Sequence, residues 1–351
     1  MFSLSGNVVD VLHRQIFPGT IDIEAGRIIS ITPTPQTNQI NAPYLLPGFV
    51  DSHIHLESSL LVPSEFARLA SVHGTVATVS DPHEIANVLG LAGVRFMLHN
   101  AAQVPLTIAF GAPSCVPATP FETAGATLAV AEIRDLFEHD RISYLSEVMN
   151  VPGVLVRDPV VMQKIELAQR LGLPIDGHAP GLRGEEVDRY ATAGITTDHE
   201  CTTLDEAIDK LAAGMNIQIR EGSAAKNFMA LHPLIEDYPD RCMFCSDDKH
   251  PNDLVQGHIN QLVQRAVALG HEVMNVLQIA CVNPVLHYGL KVGLLQVGDP
   301  ADFIVVNNLH DFNVERTYCK GVLVAEAGKA LLPSIAVEPV NHFVTGTKPV
   351  E

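Results

Sequence analysis

Pro47-Gly48-Phe49-Val50-Asp51-Ser52-His53-Ile54-His55 is the stretch that orders the rest of the chain. A turn-forming Pro-Gly pair opens it, an apolar strand follows over Gly48–Asp51, and two histidines stand beyond the strand. Residues i and i+2 of an extended chain face the same side. Both imidazoles can therefore bind one cation while Ile54 packs away. An H-x-H pair alone is a weak signal, and its meaning depends on which other residues the chain brings beside it.

Downstream, seven further short apolar runs read as strands: Val76–Ser80, Leu106–Phe110, Ser143–Ser146, Pro174–Gly177, Thr196–Asp198, Asn216–Ile219 and Arg241–Cys245. Helical stretches lie between them at Ser64–Val72, Gly90–Ala101, Ala131–Glu138, Val160–Arg170, Gly184–Ala193 and Thr203–Ala213. The last three each open at a cap or turn and close near a glycine, as helix ends do. Eight strands alternating with helices predict a parallel sheet closed into an α/β, (β/α)8 TIM-like barrel.

Both ends of the chain are β-rich instead. Asn7–Val11, Gly19–Glu24 and Gly26–Ile31 read as short strands, and Thr20-Ile-Asp-Ile-Glu24 alternates with the period of a half-buried one. A matching region holds Gly298-Asp-Pro-Ala-Asp-Phe-Ile-Val-Val306, Val314–Cys319, Val322–Ala325 and a turn at Glu326-Ala-Gly-Lys329. The expected organisation is a small β-sandwich formed from both chain ends (1–46 and 293–335), a barrel over 47–292, and a C-terminal tail over 336–351.

Composition narrows the class of partner. With 351 residues, 47% hydrophobic and 18% charged, the chain has an ordinary globular make-up. It has room for a barrel of about 250 residues plus a small accessory domain. A formal net charge of −18 argues against nucleic-acid backbones and anionic membranes as partners, and leaves small neutral molecules or organic cations. No apolar run reaches the ~18 residues of a spanning helix, and the N-terminus lacks a basic start before an apolar block. A cytoplasmic location is expected. Six cysteines make no disulfide scaffold. Cys242 and Cys245 form a C-x-x-C, but positions three apart on a strand face opposite sides and no second such pair exists. Buried, reduced thiols are expected.

Active sites of such barrels lie at the C-terminal ends of the strands. The residues just beyond the expected strands form a pattern there. The first strand leads into Asp51-Ser-His53-Ile-His55-Leu-Glu57 and the second into Asp81-Pro-His83-Glu84. The fourth leads to Glu147, the fifth to His178, the sixth to Asp198-His199-Glu200 and the eighth to Asp247-Asp248. Imidazoles and carboxylates from distant parts of the chain therefore collect at one rim. His13, His73, His232 and His271 fall outside this set and read as surface or structural histidines.

Pro47–His55, with Val297-Gly-Asp-Pro-Ala-Asp302, resembles the opening and closing segments of the amidohydrolase superfamily. Several blocks closely resemble bacterial adenine deaminases: Leu56-Glu57-Ser-Ser59, Asp81-Pro-His83-Glu84-Ile-Ala-Asn87-Val-Leu-Gly90, Glu147-Val-Met-Asn-Val-Pro-Gly153-Val154, Asp176-Gly-His178-Ala-Pro-Gly181, Arg220-Glu221-Gly-Ser-Ala-Ala-Lys-Asn227 and Cys245-Ser-Asp247-Asp-Lys-His-Pro251. Such enzymes are longer, so the resemblance is to a short form lacking the usual C-terminal domain.

The resemblance implies a metal-dependent hydrolase acting on a cyclic amidine C–N bond, deaminating adenine to hypoxanthine and ammonia through a hydroxide shared by two metals. It implies that His53, His55 and Asp247 bind the more buried metal, that His178 and His199 bind the second, and that Glu147 bridges both. Manganese or iron is implied; a nitrogen and oxygen ligand set also suits zinc. Adjacent Asp247 and Asp248 leave the inward-facing residue open, with Asp247 the favoured one. Two cations lower the pKa of the shared water, and Asp247 passes its proton to the leaving amine. Glu57, His83, Glu84 and Glu221 are candidates for protonating the ring and anchoring substrate, and Asp81, His83 and Glu84 form an alternative holder for a further metal. The expected partner is a small purine, with no nucleic acid and no membrane, in a homo-oligomer. Two alternatives stand beside this reading: another amidohydrolase acting on a different 6-substituted purine, a cyclic amide or an N-acetyl sugar, and an inert purine- or metal-binding relative.

Overall fold

The computed structural model describes residues 1–35, 42–119, 121–341 and 346. Part of the expected tail, 342–345 and 347–351, lies outside the described residues. The N-terminal strands are β1 (Phe2–Asp10), β2 (Gln15–Glu24), β3 (Arg27–Pro33) and β4 (Tyr44–Pro47). The middle of the chain holds β5 (Phe49–Ile54), β6 (Thr75–Ser80), β7 (Thr107–Ala112), β8 (Ile142–Val148), β9 (Ile175–Gly177), β10 (Thr197–Asp198), β11 (Asn216–Arg220) and β12 (Cys242–Cys245). The strands β13 (Phe303–Val306), β14 (Val314–Cys319), β15 (Val322–Glu326) and β16 (Lys329–Ala330) come last.

The eight middle strands form an α/β barrel of the TIM type. All pair in parallel, in the runs β5-β6-β7-β8-β9 and β10-β11-β12. One seam is stitched by Thr196 N–H donating to the Ile175 carbonyl and Asn216 N–H donating to the Thr196 carbonyl, each at 2.8 Å. The other closes through a single residue: Asp247 N–H donates to the His53 carbonyl at 2.9 Å, and His55 N–H donates to the Asp247 carbonyl at 3.2 Å. These bonds extend β5 through Ile54, beyond the Asp51 at which the apolar pattern ends, because the pairing partner rather than hydropathy sets its length.

Gly48 marks the change from one sheet to the other. A Cβ at that position would lie 2.2 Å from Val76 Cγ1, so only glycine lets β4 hand over to β5 against β6. Inside the barrel Val79, Tyr144, Met243 and Tyr288 pack together, and the Tyr288 hydroxyl bonds to Asp176 and accepts from Gln218 Nε2 at 3.1 Å. The interior is therefore filled rather than open.

The expected helices are present with others beside them, two of which lie near the rim. Gly90, at φ +59, separates the helix Leu91–Ala101 from a preceding one, His83–Leu89, that the periodicity did not show. A five-residue helix, Val151–Leu155, comes directly after β8. Caps behave as their side chains dictate: Asp158 accepts from the amides of Val160 and Val161, and Thr203 accepts from that of Glu206.

The two chain ends meet in one eight-stranded sheet of order β16-β15-β14-β13-β4-β1-β2-β3. Parallel β1–β4 and antiparallel β4–β13 pairing join the N-terminal half to the C-terminal one. Because β4 runs directly into Gly48 and β5, this sheet anchors the first barrel strand, which carries the two spaced histidines.

Candidate metal centre

His53 and His55 project from the end of β5 on one side, their Nε2 atoms 3.2 Å apart. Ile54, between them, is buried among Leu56, Phe66 and Phe110 instead. Asp51 stiffens this strand from below. Its carboxylate accepts the His53 N–H at 3.2 Å, the Ser246 N–H at 3.0 Å and the His258 ring at 2.7 Å. Ser246 in turn fixes the approach to Asp247.

Asp247 adopts φ +54, a left-handed conformation that short polar residues tolerate better than most. The turn sends its carboxylate inward and the next one outward. Asp247 Oδ1 lies 3.2 Å from His55 Nε2 and 3.7 Å from His53 Nε2, whereas Asp248 accepts from Ser58 Oγ at 2.5 Å. The choice between the adjacent aspartates is thus made by one backbone angle.

Glu147, at the end of β8, stands between two groups of imidazoles. Its Oε2 is 2.9 Å from His178 Nδ1 and 3.2 Å from His199 Nε2, while its Oε1 is 3.7 Å from His55 Nε2. Burial opposes its charge, but the hydrogen bonds from His178 and His199 prevail and hold the carboxyl well below the usual range. The His53 and His199 rings stack at 4.1 Å between centroids. Burial, then the neighbouring His199 and His55, press His53 well below the usual imidazole range, so its ring is neutral with a free lone pair.

A further wall adjoins His55. His83 Nδ1 lies 3.1 Å from Asp81 and 3.4 Å from Glu147 Oε1, and Glu84 Oε1 lies 3.4 Å from His55 Nδ1. Glu57 accepts the Ile85 N–H at 3.2 Å through Oε1, while its Oε2 is buried with no hydrogen-bond partner among the described residues. Burial and the neighbouring Glu84 push the Glu57 carboxyl up to about 8.

One of the expected residues stands apart. Glu221 faces Arg265 at 3.0 Å and Lys226 at 3.8 Å, since successive residues at a strand end point opposite ways. The residue before it takes the inward position. Arg220 pairs with Glu200 and, at 2.5 Å, with Asp247 Oδ2, and is buried. Glu200 Oε1 lies 3.4 Å from His199 Nε2 and 3.6 Å from His178 Nδ1. Glu200 stood among the expected rim residues without a role, and Glu221 rather than Arg220 was the residue expected to act beyond β11; the alternation of neighbouring side chains along a strand was the available signal. Elsewhere, His232 and His271 bond to each other at 2.9 Å, exposed His13 pairs with Asp10, and all six cysteines are unpaired, five of them buried.

The donor set fits divalent cations. His53, His55 and Asp247 each place a ligand atom within 4.8 Å of one another, as do His53, Glu147 and His199, and His178, His199 and Glu200. Two Nε2 atoms facing each other at 3.2 Å, with the carboxylates of Asp247 and Glu147 beside them, leave imidazole lone pairs and carboxylate oxygens converging on shared points. A cation satisfies such a geometry and a second proton does not. His55, Asp81, His83 and Glu147 form one more group of this kind.

The chain matches the amidohydrolase family over residues 44–324. It is 58% identical over 351 residues to an adenine deaminase of Sulfurovum sp. (strain NBC37-1), covering 99% of this chain and 65% of that protein. To an adenine deaminase of Salinibacter ruber it is 55% identical over 342 residues, covering 97% of this chain and 62% of the relative. The chain thus spans a little under two thirds of these relatives' length. Among solved structures, a β-aspartyl dipeptidase from Fervidobacterium islandicum AW-1 superimposes with a TM-score of 0.69 at 16% identity, over 95% of this chain and 98% of that one. An N-acetyl-D-glucosamine-6-phosphate deacetylase from Mycobacterium smegmatis gives 0.66 at 18%, over 93% and 100%. Those two likenesses concern the fold. Among the described residues no helix is long and apolar enough to cross a membrane.

Proposed function

This chain belongs to the amidohydrolase family, and we propose that it hydrolyses adenine to hypoxanthine and ammonia at a centre holding two divalent cations. The observation that carries the reading is Glu147, whose two carboxylate oxygens face the histidines of β5 on one side and His178 and His199 on the other. The identity of 58% and 55% to proteins named adenine deaminase supports the choice of substrate.

In this reading His53, His55 and Asp247 hold one cation, His178 and His199 hold the other, and Glu147 lies between them. Manganese or iron is the proposed metal. When bound, the cations supply a shared, acidified water and polarise the reacting centre. The residues then have distinct tasks. Asp247, with one oxygen toward the histidines and the other on Arg220, takes the water proton and delivers it to the departing amine. Water adds at C6 of the purine and the C6–N bond breaks, so adenine and water balance hypoxanthine and ammonia. Glu57, His83 and Glu84, grouped beside His55, anchor the ring and protonate its nitrogen as C6 becomes tetrahedral. Glu221 is the candidate this geometry supports least, because its carboxylate is engaged by Arg265.

The same reading takes 47–292 as the barrel domain and 1–46 with 293–335 as a small β-sandwich. One apolar cluster that joins Val8, Ile21 and Leu45 to Phe303, Val305 and Tyr318 supports the sandwich.

The test is ammonia release from adenine by protein loaded with manganese or iron under reducing conditions. Turnover of another 6-substituted purine, a cyclic amide or an N-acetyl sugar in preference to adenine would overturn the substrate assignment. Tight purine binding with no ammonia from any of them would overturn the enzymatic one.

A further inference from the structure

Behind His178 and His199 lies a buried cluster that the proposed chemistry does not use. Lys210, on the helix Leu204–Ala212, is fully buried. Its ammonium donates to the Ala179 carbonyl at 2.6 Å, to Asp198 Oδ2 at 2.9 Å and to Glu206 Oε1 at 2.9 Å. All three N–H directions of the ammonium are thereby used.

Those partners are not scattered. Asp198 accepts the Ala179 N–H at 2.8 Å through one oxygen, and the Glu200 and Cys201 N–H groups at 3.0 and 3.1 Å through the other. Glu206 accepts the Gly181 N–H at 2.8 Å and the Thr202 N–H at 3.1 Å. One set of bonds thus grips the segment just after His178, and the other grips the segment on both sides of His199. Neither segment has strand partners there, because β9 ends at Gly177 and β10 at Asp198. Asp198, Cys201 and Glu206 converge closely enough to hold a cation themselves, and the Lys210 ammonium is the cation they surround.

We infer that Lys210 is an internal counter-cation that sets the spacing of His178 and His199, and so is a positioning residue for the second metal. The inference rests on the reading that those two histidines hold a metal. Its consequence is selective. Loss of the ammonium loosens two loops but leaves β5, Asp247 and their braces at Asp51 untouched, so affinity falls at one cation and not at the other.

Lys210→Met alone leaves two buried carboxylates without a cation, which is strongly destabilising. The informative variant is therefore Lys210→Met/Glu206→Gln, which keeps the net charge of the cluster while removing the tie. Calorimetric titration of the full chain with Mn2+, beside thermal unfolding of the metal-free protein, reads the outcome. The double variant is expected to unfold cooperatively at a midpoint below the wild type's, since Asp198 keeps its charge with backbone donors alone, to bind one Mn2+ as the wild type does, and to bind the second roughly 10–100-fold more weakly, the scale on which supporting partners of ligands act. Wild-type affinity for both ions, equal weakening of both, or failure of the double variant to fold would each overturn the proposal. His178→Ala/His199→Ala is the control. If it binds as many Mn2+ ions as the wild type, the metal reading itself fails and the brace with it.

Discussion

Nδ1 of His178 lies 2.9 Å from Oε2 of Glu147, so the ends of the fourth and fifth barrel strands are joined by the one carboxylate that also reaches toward β5. A single-cation site would need only about three protein ligands and a water. Glu147 would have no necessary part in it. Its position makes sense when two cations share it.

Glu147→Gln accordingly tests stoichiometry. Elemental analysis should show bound metal falling from about two ions per chain to about one, with adenine deamination down by at least ~100-fold. One metal in the wild type, unchanged by the substitution, would remove the two-cation mechanism.

Asp247→Asn separates proton transfer from metal binding. An amide oxygen can still ligate, but it cannot hold the proton between water and amine. Most of the metal should remain while kcat falls by about 10²–10⁴-fold, the usual worth of general acid–base catalysis. Metal content and kcat measured on one preparation decide it, and loss of both in step would make Asp247 only a ligand.

Which side chains share the rim was legible in the sequence because a barrel sends the residues after each strand to one end, whatever their separation along the chain. That rule sends His53, His55, Glu147, His178 and His199 to one rim, where their side chains do meet; their roles as ligands are what the resemblance adds. Asp247 was harder, since its inward turn depends on a positive φ at a residue that is not glycine, which no sequence pattern marks. Arg220 escaped because its role lies in reach: a long side chain at the end of β11 meets Glu200 and Asp247, which arrive from other strands. Glu221 shows the complementary case: it has suitable chemistry, but the strand parity turns its carboxylate toward Arg265 and Lys226. Lys210 was out of view because helix periodicity marks it only as a polar position: Glu206 sits one turn before it as in an ordinary surface pair, while Asp198 arrives from the end of β10.

Arg220→Met offers a check on the residue that the pattern missed. Removing the guanidinium frees Asp247 Oδ2 and leaves Glu200 without its partner, both in largely buried surroundings. Deamination should fall by roughly 10–100-fold. Arg220→Lys should recover little, because a shorter-reaching ammonium cannot hold Glu200 through two parallel N–H donors, as Nη1 and Nη2 do, while also meeting Asp247. Recovery to wild-type rates with lysine would show that only charge matters at this position.

Acid also acts on the fold itself, at a histidine outside the proposed metal ligands. His287 is held as a neutral imidazole by a chain of directed bonds. Asn216 Nδ2 donates to its Nδ1 at 3.1 Å, and the opposite side of that amide is fixed because Arg241 Nε donates to Asn216 Oδ1 at 2.7 Å. The other ring nitrogen, Nε2, faces Thr196 Oγ1 at 3.3 Å. A proton on Nδ1 would meet an N–H, and the amide cannot flip to receive it. Burial, with the Arg241 charge adding to it, presses His287 down to about 4. The unfolded chain, where histidine titrates near 6.5, therefore binds the extra proton more readily than the folded one. Stability is fully present above pH ~6.5 and is lost as pH falls toward 4, by up to about 3.5 kcal/mol at ~1.4 kcal/mol per pKa unit. Urea unfolding of the wild type and of His287→Gln at pH 7 and pH 5 measures it, and the variant should lose less stability between those pH values than the wild type. Equal losses in the two proteins would place the acid sensitivity elsewhere.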